Sequence, residues 1–274
     1  MEKAFDRIMV IFFENENADL VLENTIFYKY AKKRMRLTNY YGVTHPSQPN
    51  YIALFGGDFF GYAHDECHDF HESNLIDLLE NKGEDWRAYV EDYDPLNPLA
   101  CHYGLYARRH NPIVSFKSNQ TQSRLAKVQS ATNFNPNGYV PSFVWYGPNL
   151  RNCGHTVPGS LTSGESCINI RYAANWLKSF LDPLLKNDMF MKGTLIVLTF
   201  DEDWPQKPKG GTETSENGKP IYTVLLGAGV TPGSTNDTLY NHYNLLATIE
   251  KNFNLGDLGR HDADAEPFNF LFDS

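Results

Sequence analysis

Short apolar runs that stop abruptly at polar residues set the rhythm of this chain. Arg7-Ile-Met-Val-Ile-Phe-Phe13 is continuously apolar after its first residue and ends at Glu14. Thr194-Leu-Ile-Val-Leu-Thr-Phe200 repeats the pattern and ends at Asp201-Glu202-Asp203. Residues 221–226 form a third run, closed by Gly227. Runs of this length without alternation fit strands covered on both faces, as in a parallel sheet. Residues 140–146 and 85–90 predict further strands, and 37–43 is another candidate. Amphipathic segments lie between them at 74–82, 171–185 and 242–253. In the last, Leu245, Leu246, Ile249 and Phe253 share one helical face. Strands alternating with helices predict an α/β fold, a mostly parallel central sheet with helices on both faces. Two polar stretches without periodicity, 115–137 and 204–220, read as long loops of the kind that form lids or mobile segments. No repeat or clear linker interrupts the pattern, so residues 1–274 read as one domain.

Composition narrows the function classes. Of 274 residues, 41% are hydrophobic and 21% charged, an ordinary globular balance, and the net charge is −9 with no long basic run. That argues against nucleic-acid binding by a basic face and against attraction to an anionic membrane. No apolar stretch reaches transmembrane length. Asp6 and Arg7 interrupt any signal-peptide core, so the chain is cytosolic or its signal peptide has been removed and a start Met added. Four cysteines without a C-x-x-C pair give little support to zinc or redox motifs and allow three disulfide pairings. The pairing of nearest neighbours, Cys67 with Cys101 and Cys153 with Cys167, is the expectation. Asn119-Gln-Thr and Asn236-Asp-Thr are glycosylation sequons. With high Tyr, Asn, Gly and Pro content, these features favour a secreted protein.

The polar clusters fall where parallel-sheet proteins bind ligands, beyond the carboxyl ends of strands. The first strand ends in Glu14-Asn15-Glu16-Asn17, the candidate strand at 37–43 leads to His45-Pro-Ser47, and the late strand ends in Asp201-Glu202-Asp203. Ser47 lies between Pro46 and Pro49, in a stiff segment leading into a helix. Its hydroxyl is either a helix cap or a nucleophile placed where backbone N–H groups favour an anion. Carboxylates and an amide oxygen suit a hard divalent cation such as Mg, Ca or Mn, or a borderline one such as Zn or Fe. A cation on a serine oxygen lowers its pKa and neutralises a phosphate ester, so the combination points to phosphoryl transfer through a phosphoserine.

The segments VIFFENEN, THPSQPNYIALFGGD, RRHNPIVSF, YGPNLRNCGH, TLIVLTFDED and NHYNLLATIE resemble the phosphoesterase family of secreted acid phosphatases and bacterial phospholipases C, within the alkaline phosphatase superfamily. The resemblance covers about residues 7 to 255. It implies a three-layer α/β sandwich of alkaline phosphatase type. It implies Ser47 as nucleophile and Glu14, Asn15, Asp201 and Glu202 as ligands of one divalent metal cation. Asn50 matches an asparagine that donates to a phosphoryl oxygen. His110 and His155 match histidines that bind the phosphoryl group or protonate the leaving group, and His242 orients that wall or caps its helix. Many relatives carry an acidic residue where this chain has Asn152-Cys153 before Gly154-His155, which favours one metal over two. Ser47-Gln-Pro-Asn-Tyr lacks the arginine of a sulfatase motif.

The reading is a metal-dependent acid phosphatase acting on small phosphate monoesters. The alternatives are a phosphodiesterase or phospholipase C on the same site, and a non-catalytic phosphoester-binding protein.

Overall fold

The computed structural model describes residues 3–156, 166–204 and 218–272, with Ser166 and Cys167 described by backbone alone. Its strands are β1 (Arg7–Phe13), β2 (Met35–Leu37), β3 (Trp86–Val90), β4 (His102–Tyr103), β5 (Tyr106–Ala107), β6 (Val128–Ser130), β7 (Phe143–Gly147), β8 (Thr194–Phe200), β9 (Thr223–Gly227) and β10 (Thr235–Asn236). Eight form one sheet in the order β10-β2-β9-β8-β1-β7-β3-β6, and β4 and β5 form a separate hairpin. β1 pairs in parallel with both β7 and β8. β9 runs antiparallel between β8 and β2, so the sheet is mostly parallel, as its apolar runs predict.

Successive residues of β1 point to opposite faces and show why both faces are covered. Phe12 packs on Tyr51, from the Ser47–Gly56 helix, and on His242, from the His242–Phe253 helix. Phe13 packs on Phe27, from the Thr25–Lys33 helix, and on Trp176, from the Ser166–Leu184 helix. Helices thus lie on either side of the sheet, the expected three layers. Asn241 begins the His242–Phe253 helix with a capping box shared with Asn244.

Several boundaries differ from the sequence reading. β2 ends at Leu37, and the chain beyond it continues between residues 236–240 and Ile221 through an isolated bridge of Tyr40 to Tyr240. Residues 115–137 contain β6, which pairs with β3 at the sheet margin. Residues 205–217, most of the other expected loop, lie outside the described residues.

Cys67 and Cys101 form the first expected disulfide, with Cα atoms 5.6 Å apart. Closing that loop, a separation of 34 residues, stabilises by about 4 kcal/mol in the chain-entropy view. The second expected bridge is corrected: Cys153 is a buried free thiol. Its sulfur faces Glu14 and His110, within 4.8 Å of their ligand atoms. The Asn119 sequon is corrected too. Its side chain is buried and its amide donates to Asn74 Oδ1 and to the Ile113 carbonyl, so a glycan cannot be attached in the folded chain. Asn236 is half-buried at the end of β10.

The Ser47–Gly56 helix is buried along its whole length. It stops at Gly57, whose φ of 67° places it in the left-handed region, and a Cβ there would meet Asp262. Arg260 Nη1 donates to the Gly56 carbonyl and the His261 N–H to that of Gly57. Asp262 accepts from the N–H groups of Leu258 and Arg260 and meets Glu250 of the His242–Phe253 helix. Burial, then the neighbouring Asp262 and Asp257, pushes the Glu250 carboxyl up to about 9.

Above the ordinary carboxyl range the folded chain therefore holds a proton that the unfolded chain has released. Stability falls as pH rises from about 4.5 toward 9, near 1.4 kcal/mol per unit for one proton. Glu250→Gln keeps the neutral shape and removes this slope. Between pH 5 and 7 the variant should lose about 2–3 kcal/mol less stability than the parent, as read from urea denaturation at each pH. Equal losses in the two proteins would refute the assignment.

Candidate active site

The register of the central strands builds the site. Phe13 lies opposite Phe200, so Glu14 and Asp201 leave adjacent parallel strands side by side. The Asp201 N–H donates to the Phe13 carbonyl at 3.0 Å, and the Glu16 N–H to that of Glu202 at 3.2 Å. Glu14, Asp201, Glu202 and Asp203 are all buried. Four carboxyl groups at one sheet edge repel one another unless cations, protons or hydrogen-bond donors compensate.

Ser47 reaches this edge from the first position of its helix, and Pro46 holds the cap position. The serine is therefore not the cap. Its Oγ lies 3.1 Å from Glu14 Oε2 and 3.1 Å from Glu202 Oε1. The helix start offers an anion fewer amides than the sequence suggests, since the Gln48 N–H donates to Asp65 and Pro49 has none. Tyr51 stands one helical turn beyond Ser47, on the same face. Its hydroxyl donates to Glu14 Oε1 at 2.9 Å, and its ring stacks on His110 at 5.2 Å.

A histidine wall closes the other side of Glu14. His110 Nε2 is 2.9 Å from Glu14 Oε1, and His155 Nδ1 is 3.0 Å from Glu14 Oε2. Arg109 bridges the two rings, with Nε 3.2 Å from His110 Nε2 and Nη2 3.1 Å from His155 Nε2. On the far side, His45 pairs with Glu202 through Nδ1 and lies 3.2 Å from Asp203 through Nε2. Asn15 Nδ2 is 3.4 Å from Glu202 Oε1.

Burial and charge move the carboxyl groups apart in acidity. Burial alone would raise Glu14, but the adjacent His110 and the hydrogen bonds from His110 and His155 hold it well below the ordinary range. Burial, with Glu14 and Glu202 alongside, holds Asp201 well above it. Burial pushes Glu202 up to about 7 against the pull of His45. Burial also lowers His110, against the attraction of Glu14, and raises the Cys153 thiol well above its usual value.

The donor set fits a divalent cation. Asp201 Oδ2 is buried and makes no hydrogen bond, and hard oxygens from two strands face the serine hydroxyl. Glu14, His110 and Cys153 also bring one ligand atom each within 4.8 Å of one another, but the Arg109 guanidinium already lies against that His110 nitrogen.

Of the residues singled out in the sequence, Glu14, Asn15, Ser47, His110, His155, Asp201 and Glu202 come together here. Asn50 and His242 do not face the same space. Asn50 is buried and spends its side chain on the turn before Ser47, accepting from the Val43 and Thr44 N–H groups and donating to the Thr44 and Pro46 carbonyls. His242 is buried behind the ligands, with Nε2 2.6 Å from the Asp201 carbonyl and Nδ1 3.1 Å from the Tyr40 hydroxyl. Burial lowers its pKa to about 4, so it acts there as a neutral brace. Tyr51 and Arg109 were given no role in the sequence, and His45 and Asp203 appear there only as members of polar clusters. A four-residue spacing from Ser47 would have flagged Tyr51, and Arg109 adjoins His110.

The chain matches the profile of the Phosphoesterase family over residues 12–256. It is 36% identical to a probable acid phosphatase of Kluyveromyces lactis, over 96% of this chain and 61% of that protein. It is 34% identical to a phosphate-repressible acid phosphatase of Penicillium chrysogenum, over 98% of this chain and 64% of that protein. The chain thus spans less than two thirds of the length of these relatives. Its fold is similar to that of a solved protein in the alkaline phosphatase superfamily from Vibrio parahaemolyticus, with a TM-score of 0.61 and 11% identity, over 95% of this chain and 70% of that one.

The inward-facing thiol should resist modification. Iodoacetamide applied to the native protein should leave Cys153 unlabelled and label it fully after unfolding without reductant, while the Cys67 and Cys101 peptides stay linked. Recovery of a Cys153–Cys167 linked peptide would overturn the free-thiol assignment.

Proposed function

The chain belongs to the phosphoesterase family, and from that premise we propose that it is an acid phosphatase that hydrolyses phosphate monoesters through a phosphoserine on Ser47. The observation that carries this reading is the position of Ser47 Oγ, 3.1 Å from carboxylates that end two different strands. Glu14, Asn15, Asp201 and Glu202 would hold one divalent cation. When bound, it supplies Lewis acidity that favours the serine alkoxide and neutralises phosphoryl charge.

The chain's own groups divide the remaining work. Ser47 forms the Oγ–P bond as the ester P–O bond breaks, and its hydroxyl proton leaves toward the carboxylates it already contacts. The wall of His110 and His155 binds the phosphoryl oxygens and gives a proton to the departing alcohol. Water then attacks the phosphoserine, releasing inorganic phosphate and restoring Ser47. Tyr51 and the two histidines keep Glu14 anionic and oriented, while His242 and Asn50 fix the backbone on which Asp201 and Ser47 stand.

A panel of 4-nitrophenyl phosphate, bis(4-nitrophenyl) phosphate and phosphatidylcholine, with and without chelator, tests the substrate class. Preference for the first supports a phosphomonoesterase, and preference for either of the others makes the protein a diesterase or phospholipase C. Ser47→Ala should reduce turnover by about three orders of magnitude or more with an unchanged melting temperature. Retention of more than about a tenth of the activity would exclude Ser47 as nucleophile. Elemental analysis should find one tightly held cation per chain, lost in Asp201→Asn. Two such cations would overturn the one-metal site, and full activity in chelator would overturn metal dependence.

A further inference from the structure

Arg109 differs from its neighbour in a way that assigns it to the substrate. The Arg108 guanidinium already has its anionic partner: it pairs with Asp69, donates to the Val114 carbonyl and touches Cys67 Sγ. Arg109 has no carboxylate partner among the described residues. Its Nε and Nη2 lie against the Nε2 atoms of His110 and His155, ring nitrogens that carry no negative charge to compensate its own. It is half-buried and so open to solvent on one side.

The position is held firmly. Arg108, Arg109 and His110 form one turn of 3-10 helix. The Arg108 N–H donates to the carbonyl of Cys101, which the disulfide ties to Cys67. Glu14 links the guanidinium wall to the nucleophile, since its Oε2 is 3.0 Å from His155 Nδ1 and 3.1 Å from Ser47 Oγ. Arg109 also stands beside the His110 nitrogen that, with Glu14 and Cys153, would otherwise face a second cation.

A monoester carries up to two negative charges on its phosphoryl group and a diester only one. The carboxylates of this site outnumber the charges of a single divalent cation, so the second charge of a monoester needs another positive group. A guanidinium has the fork geometry that meets two phosphoryl oxygens at once. Resting on the phosphatase reading above, we propose that Arg109 binds the non-bridging oxygens of the dianionic phosphoryl group, as a fixed cation in place of a second metal, and thereby selects monoesters over diesters.

Arg109→Gln and Arg109→Lys test this against both nitrophenyl esters, with calorimetric binding of inorganic phosphate to the metal-loaded protein as a readout independent of turnover. Arg109→Gln should lower kcat/KM for the monoester roughly 10- to 100-fold and weaken phosphate binding similarly, with a distinctly smaller loss on the diester. Arg109→Lys, which keeps the charge without the fork and serves if the Gln variant does not fold, should fall between Gln and the parent. Equal losses on both esters with unchanged phosphate affinity would overturn the proposal and leave Arg109 as a prop for the histidines. A parent protein that binds phosphate but hydrolyses neither ester would overturn the phosphatase reading. In that case weaker phosphate binding by the Gln variant would still uphold Arg109 as the anion-binding group.

Discussion

Carboxyl groups crowded at one edge of a buried sheet are the constraint around which this molecule is built. Glu14, Asp201, Glu202 and Asp203 lie on strand ends that the parallel pairing of β1 and β8 forces together. In so poorly solvated a place their repulsion is far stronger than in water. Most of the nearby polar residues answer that repulsion: Tyr51, Ser47, His110 and His155 at Glu14, and His45 between Glu202 and Asp203. What they leave uncompensated, above all Asp201 Oδ2, is what the proposed cation would answer.

The helices owe their positions to the same edge. Phe12 packs on Tyr51, Trp145 and His242, so one aromatic side chain from β1 seats both helices that carry site residues. Strands and helices supply the carboxylates, Ser47, Tyr51 and His242. Turns and loops supply Arg109, His110 and His155, and the disulfide at Cys101 steadies the turn. Rigid elements thus hold one side of the site, while shorter segments hold the wall opposite.

The sequence made the parts of this plan with strong local signals legible. Unbroken apolar runs marked β1 and β8 because strands covered on both faces have no polar side. The apolar face of 242–253 marked that helix at its observed bounds. β6 was lost inside a polar stretch because a three-residue marginal strand needs only one buried side chain, Val128. Orientation was harder still. Asn50 lies three residues after Ser47 and His242 opens a helix packed behind the site, yet both face the scaffold, and nothing in their neighbours' identities reveals that. An even number of cysteines suggested a second bridge, but the direction of the Cys153 thiol is set by tertiary packing beneath Glu14. Arg108 and Arg109 are indistinguishable as letters, and only the location of Asp69 separates a structural guanidinium from an unpaired one.

The end of the Ser47–Gly56 helix bears on the order in which the protein can be completed. Its last carbonyls are received by Arg260 and His261, more than 200 residues downstream of the serine. On the ribosome, β1, the Ser47–Gly56 helix and β8 all emerge before their fastening exists. The nascent chain can collapse around β1, yet the last carbonyls of the Ser47–Gly56 helix wait for their partners until residues 256–262 clear the exit tunnel. The finished geometry around Ser47 is therefore a late event of biosynthesis.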